Sequence, residues 1–274
     1  MRDAAHNEPP PHPAFLPLLV TTSHRADASL RRRAAQRAST WQIPFVPRDA
    51  LPSLAQLTSS GAALLVFSGS GLQLVDGAGT LTFHDGMAHL RLLHLAAGGQ
   101  DPLVHVGALH PGDRVLDCTM GLAQDALVAA RAVGPGGRVV AVESSLPLYV
   151  VVSEGLRARR RSHGACLIEP VHSDHAPLLR SLSDGSFDVI YFDPMFAAPR
   201  KAQAAFDAVR RHGHHTPLTR AVIEEACRVA CRWVIVKCPK GSRVPHDLGM
   251  RPLPGAPTSP FDWGRRAGHA APGR

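Results

Sequence analysis

The stretch RVLDCTMGLAQDALVAARAVGPGGRVVAVES, residues 114–144, decides how the chain is read. Its apolar opening predicts a strand over 114–118 that closes on an acid, Asp117. A second apolar run predicts a strand over 138–143, closing on Glu143. Between them lie a loop whose one glycine is Gly121 and an alanine-rich segment that predicts a helix over 125–133. Strand, tight turn, helix and strand, with an acid at the end of each strand, is the pattern of a nucleoside-binding βαβ unit.

The loop chemistry narrows the nucleoside. A dinucleotide needs G-x-G-x-x-G, so that backbone amides can touch a pyrophosphate. Here the loop reads D-C-T-M-G-L-A-Q-D, and Asp117 would repel that group. S-adenosylmethionine has no phosphate. It carries an ammonium, a carboxylate, a sulfonium and an adenosine. Asp117 suits the two cationic groups, and Gly121 lets a ligand approach the backbone. Glu143 is placed to accept both ribose hydroxyls, the feature shared with nicotinamide sites. The third predicted strand ends in VHSDH, where Ser173 and Asp174 can reach an adenine edge. Singly, each acid reads as a strand-end turn residue or a helix cap. Together, three acids closing three successive strands favour a methyl-donor site over an NAD site.

Outward from this unit, near-continuous apolar runs predict strands at 166–171, 187–192 and 232–238. Helices are predicted near 146–160, 176–182 and 217–230, the last with Thr216 as N-cap and Pro217 in its first turn. This alternation predicts an α/β fold, a doubly wound, mostly parallel sheet with ligands beyond the carboxyl ends of its strands. Upstream, strands at 18–23, 43–47, 63–68, 72–75 and 81–84 accompany a helix from Asp27 to Thr40 that bears Arg31, Arg32, Arg33 and Arg37. A further helix near 87–97 completes a smaller α/β region. The expected organisation is a disordered N-terminus over 1–14, a substrate-positioning α/β region over 15–100 and a donor-binding domain over 101–248. A Pro/Gly/Arg-rich tail over 249–274 follows, in which Phe261–Trp263 can add an edge strand.

The formal net charge of +8 points to a polyanionic partner, usually nucleic acid, although an Arg- and Ala-rich genome yields basic proteins without one. Five cysteines, an odd count, read as reduced thiols of a cytosolic protein. Cys227 and Cys231 share a helix face without a second pair at zinc spacing, so no metal is expected. Residues 14–20, AFLPLLV, are too short for a span and contain Pro17; no membrane association and a cytoplasmic location are expected.

The fourth strand of the alternation ends in FDVIYFDPMF. An Asp-Pro-x-aromatic there faces the methyl donor. The Asp193 carboxylate and the Pro194 carbonyl can accept the two hydrogens of a planar exocyclic amine. That draws the nitrogen toward sp³ and aims its lone pair at the donor methyl, a gain in orientation above all. Phe196 can stack on the base, as enzymes acting on an extruded base require. The basic stretch after it, with Arg200 and Lys201, can clamp phosphates, and Lys237 closes the apolar strand WVIVK at the same edge.

DPMF resembles the (Asn/Asp)-Pro-Pro-(Tyr/Phe) motif of methyltransferases acting on amino groups of bases. With VLDCTMGLAQDALVAA, Glu143, Ser173-Asp174, Arg200-Lys201 and VKCP, the chain resembles one family over about residues 84–240. That family is the bacterial small-subunit ribosomal RNA guanine-N2 methyltransferases, which modify a guanine near the 3′ end of that RNA, with their uncharacterised relatives. The resemblance implies a class I, Rossmann-like fold and S-adenosylmethionine as cofactor. It implies that Gln124, Asp125, Glu143, Ser144, Ser173, Asp174 and Asp193 line the donor site. Four positions depart from the family: Gln124 replaces an arginine, Ala202-Gln203 replaces Ser-Ala, and Cys238 replaces an arginine before Pro239. The departures leave the donor site intact. Other readings remain open at this level: another RNA, DNA or a small amine as acceptor, or a non-catalytic RNA-binding or ribosome-assembly protein with a relic pocket.

Overall fold

The computed structural model describes residues 18–159, 164–194 and 217–269. The chain divides into two compact units, Met1–Thr82 and Phe83–Arg274.

In the first unit, β1 (Leu18–Thr22) is followed by α1 (Ala28–Trp41) and α2 (Leu54–Ser59). Strands β2 (Ala63–Ser68), β3 (Gly71–Asp76) and β4 (Gly79–Thr82) then form a meander. The sheet order is β1-β2-β3-β4, with β1 parallel to β2 and the other pairs antiparallel. Asp27 caps α1 as the sequence predicts, its carboxylate accepting from Leu30 N–H at 2.7 Å. The strand expected over 43–47 shrinks to one bridge, Phe45 beside Val20. Pro44 and Pro47 flank it, and neither has an N–H to donate to a ladder.

The second unit opens with α3 (Gly86–Ala96) and α4 (Pro102–Gly107). It continues β5 (Arg114–Asp117), α5 (Gln124–Val133), β6 (Arg138–Glu143), α6 (Leu146–Ala158), β7 (Ile168–His172), α7 (His175–Ser181) and β8 (Phe187–Phe192). Then come α8 (Arg220–Val229), β9 (Ala230–Pro239), α9 (Val244–Asp247), β10 (Arg251–Leu253) and β11 (Phe261–Ala267). The seven strands run β10-β11-β9-β8-β5-β6-β7. The five strands from β9 to β7 are parallel; β11 is antiparallel to both of its neighbours. Leu116, Ile190, Phe192 and Val234 from the sheet pack with Ile223, Ala226 and Val229 of α8 in one buried cluster. Burial of such side chains contributes about 1.5–3 kcal/mol each.

Three expectations need correction. The helix at 86–96 was expected in the N-terminal region but belongs to the second unit, because α5 holds it. The Gln124 amide accepts from Ala88 N–H at 2.6 Å and donates to the His84 carbonyl at 2.9 Å. The tail expected from 249 is instead built into the sheet through β10 and β11. The open edge of β9 is paired along seven residues by β11, and Trp263 is buried there. Finally, α8 starts later than expected, at Arg220, with Thr219 as its cap accepting from Val222 N–H at 3.3 Å. Thr216 lies outside the described residues.

Candidate active site

The order of the large sheet places a crevice. From β5 the chain moves outward to β6 and β7, then returns to β8 on the other side and continues to β9. β5 and β8 therefore flank the topological switch point, where connections leave in opposite directions and ligands bind beyond the strand ends. The last residue of β5 is Asp117, and Asp193 follows β8 directly.

On the β5–β6 side, Asp117 is buried. Its Oδ1 accepts from Thr119 N–H at 3.0 Å, while Oδ2 is buried without a partner among the described residues. Burial pushes this carboxyl up to about 8, and the nearby Asp125, Asp193 and Glu143 push the same way. A buried carboxylate oxygen without a donor is costly, and a cation is what would relieve it. Gly121 adopts a left-handed φ of 48°, which suits glycine. Its N–H donates to Glu143 Oε2 at 3.0 Å, and Ser145 N–H donates to Oε1 at 2.9 Å. Glu143 thus ties the β5–α5 loop to the end of β6. Ser173 N–H donates to the Glu143 carbonyl at 3.1 Å, and Asp174 caps α7 through Ala176 N–H at 2.7 Å. The Ser144 carbonyl meets the His172 ring at 3.1 Å. The expected acids stand together at the ends of successive strands.

On the β8–β9 side, Asp193 is half-buried. Its N–H donates to Thr119 Oγ at 2.7 Å, and its Oδ2 accepts from the Lys237 ammonium at 2.7 Å. Lys237 is therefore bound to the motif acid rather than projecting as an independent phosphate contact. Its Nζ also lies 3.6 Å from Asp125 Oδ2 and 4.6 Å from the Phe261 ring centroid. Asp125 is engaged in turn by Arg91 at 2.5 Å and by the Tyr191 hydroxyl at 2.9 Å. Burial would raise Asp125, but Lys237 and Arg91 outweigh it and hold the carboxyl below its ordinary value. Burial lifts Asp193, and Lys237 opposes that rise. Lys237 stays charged: burial works against it, and the two carboxylates more than compensate.

Two positions expected beside the donor, Gln124 and Asp125, have side chains committed to protein partners. Gln124 clasps the start of α3, and Asp125 sits in the ion cluster. Phe196, Arg200 and Lys201 lie outside the described residues. Thr119, Tyr191, Asp101 and Arg91 were missed. Thr119 lay in the quoted loop; Arg91 carried no local signal.

A doubly wound sheet with paired acids at its switch point defines a Rossmann-like transferase of the class I methyltransferase type. The chain belongs to the SAM-dependent methyltransferase family, whose model matches residues 62–247. Its cofactor is accordingly S-adenosylmethionine. The chain is 30% identical to the uncharacterised protein YpiP of Bacillus subtilis, over 80% of this chain and 88% of that protein. It is 29% identical to ribosomal RNA small subunit methyltransferase J of Hahella chejuensis, over 78% of this chain and 83% of that protein. The crystal structure of the SAM-dependent methyltransferase NGO1261 from Neisseria gonorrhoeae shares the fold, with a TM-score of 0.55 at 17% identity. That alignment covers 93% of this chain and 97% of that one. Among the described residues, no helix is long and apolar enough to cross a membrane.

Proposed function

We propose that this methyltransferase acts on an exocyclic amine of an RNA base, and that the amine is N2 of a guanine in small-subunit ribosomal RNA. The carrying observation is Asp193 at the switch point. Lys237 takes its Oδ2, which leaves Oδ1 to accept an N–H of the amine, beside the Pro194 carbonyl for the other. S-adenosylmethionine supplies an electrophilic methyl group, whose transfer leaves the bonding pair on sulfur. Asp193 and Pro194 hold the amine with its lone pair directed at that methyl, and Phe196 stacks on the base. The methylated nitrogen then sheds a proton to water or to Asp193.

In this reading Asp117 meets the donor's cationic groups, Gly121 leaves room at the loop, Glu143 accepts the ribose hydroxyls, and Ser173 and Asp174 face the adenine. Ser144 and the backbone near Gln124 and Asp125 complete the wall. Arg31, Arg32 and Arg33, exposed on α1, meet RNA phosphates, as do Arg200 and Lys201. The similarity to ribosomal RNA small subunit methyltransferase J of two organisms supports the substrate. Mass spectrometry of ribosomal RNA nucleosides from a deletion strain tests it: one N2-methylguanosine of the small subunit should disappear. Unchanged N2-methylguanosine would refute the assignment.

A further inference from the structure

Asp193 stands at one end of a partly buried file of alternating charges. Beginning at the far end, Asp101 caps α4 through Leu103 N–H at 2.9 Å and is itself buried. Both its oxygens accept from Arg91, at 2.8 and 2.9 Å, in a fork. The remaining Arg91 nitrogen reaches Asp125 Oδ1 at 2.5 Å. Lys237 stands between Asp125, at 3.6 Å, and Asp193, at 2.7 Å. The five groups come from α4, α3, α5, β9 and the end of β8, so the sequence of signs is a product of the fold. Tyr191 adds one hydroxyl donor to Asp125.

The weak link is Lys237, a single ammonium flanked by two carboxylates. Which one it favours depends on what else each carboxylate has. Asp125 has Arg91 and Tyr191; Asp193 has, among the described residues, Lys237 alone as a side-chain donor. We propose that Arg91 is a positioning residue for the methyl-accepting end of the site: by satisfying Asp125, it keeps the Lys237 ammonium on Asp193. The inference rests on Asp193 being the acceptor that meets the substrate amine. Without Arg91, Asp125, left with the neutral Tyr191 hydroxyl, draws Lys237 away, and Asp193 loses both its donor and its compensating charge. The charged groups facing Asp193 are Lys237 from β9, Asp125 from α5, Arg91 from α3 and Asp117 from β5, with Tyr191 and Cys238 adjacent. Removing a cation from that set makes the Asp193 carboxylate harder to form, so activity is lost first at low pH.

The experiment measures transfer of a tritiated methyl group from S-adenosylmethionine to small ribosomal subunits of a deletion strain, from about pH 5.5 to about pH 9. The proteins are wild type, R91A, R91K, R91A/D125N and D193A, with calorimetric donor binding as the check on folding. R91A should lose about tenfold more activity at the acid end than at the alkaline end, an upward shift of the acid limb by about one pH unit. R91K should shift it less. R91A/D125N, which removes a cation and a carboxylate together, should bring the limb back toward wild type. A carboxyl-carbon NMR titration, with D193N marking the resonance, reads the same shift without a substrate. If R91A does not fold, R91K and R91K/D125N carry the comparison. A uniform loss at every pH, or no recovery in the double variant, would overturn the role of Arg91. An active D193A would instead overturn the acceptor reading on which it rests.

Discussion

The two sides of the switch point treat buried acid in opposite ways. At the end of β5, Asp117 has the Thr119 N–H and, at 3.5 Å, the Thr119 hydroxyl for one oxygen and, among the described residues, no partner for the other, and the nearby charges that raise it are acids. At the ends of β8 and β9, Asp193 shares Lys237 with Asp125 of α5, and Asp125 also holds Arg91. On the function proposed above, the contrast matches what each side receives. A methyl donor arrives with an ammonium and a sulfonium, so a site for it is best left short of positive charge. An exocyclic amine arrives neutral, and the carboxylate that binds it needs compensation from the protein. The fold therefore keeps one acid uncompensated and supplies the other with a cation.

The most severe way to break this contrast is Asp193→Ala. It should lower kcat by about 100-fold or more, as loss of a positioned charge-bearing contact does. Donor affinity should stay within about threefold, because the donor's own acids are untouched. Equilibrium donor binding and single-turnover rates separate the two. A collapse of donor binding would make Asp193 part of the donor side, and the contrast would vanish.

Asp117 is the next test, and it has a sign in pH. In the ligand-free protein its carboxyl is raised to about 8, so below that pH it is mostly protonated. A cationic donor favours the ionised form, so binding should release a proton, and affinity should climb with pH before levelling above about 8. Asp117→Asn should weaken the donor by about 10–100-fold, the range for a lost charged hydrogen bond, and flatten the pH dependence. Stability should move the other way. With its folded value above its unfolded one, the group stabilises most below the ordinary carboxylate range, and this is lost as pH rises toward about 8. Ligand-free Asp117→Asn should therefore melt higher than wild type at alkaline pH, with the gap closing near pH 4. An affinity that ignores pH would show that Asp117 serves only the loop backbone.

This contrast was half legible in the sequence. The donor side is local: strand, loop and helix lie within residues 114–144, and apolar runs and a missing glycine pattern expose it. DPMF likewise marks the strand end that carries Asp193. The compensating charges are not local. Arg91 reaches Asp125 across 34 residues, and on its own it reads as an ordinary polar residue of a leucine-rich helix. Gln124 entered the expected donor site through the family resemblance, whereas its amide spans 36 residues to clasp α3. The C-terminal strands were legible only in part, as a possible edge strand over Phe261–Trp263, for a related reason. Their Pro- and Gly-rich connection suggests a tail, while the cause of pairing, the open edge of β9, is set by the rest of the sheet.

Two smaller substitutions sharpen the comparison. Glu143→Gln keeps one oxygen but turns an NH₂ toward a backbone N–H that Glu143 now accepts. Donor affinity should fall about tenfold, within the range for a charge-assisted bond, with kcat nearly unchanged at saturating donor. An unaltered dissociation constant would remove Glu143 from the donor side. Thr119→Val probes the one side chain that touches both halves. Its N–H holds Asp117 at 3.0 Å and survives the change; its hydroxyl, which accepts from Asp193 N–H at 2.7 Å and donates only at the long distance of 3.5 Å to Asp117 Oδ1, does not. Because Asp193 is half-buried, water can partly replace that acceptor, so the cost belongs at the low end, about 1 kcal/mol. The expected result is a roughly fivefold drop in kcat with donor affinity within about twofold. If affinity and kcat fell together instead, the Thr119 hydroxyl would couple the two acids, and the halves of the site would have to be treated as one titrating unit.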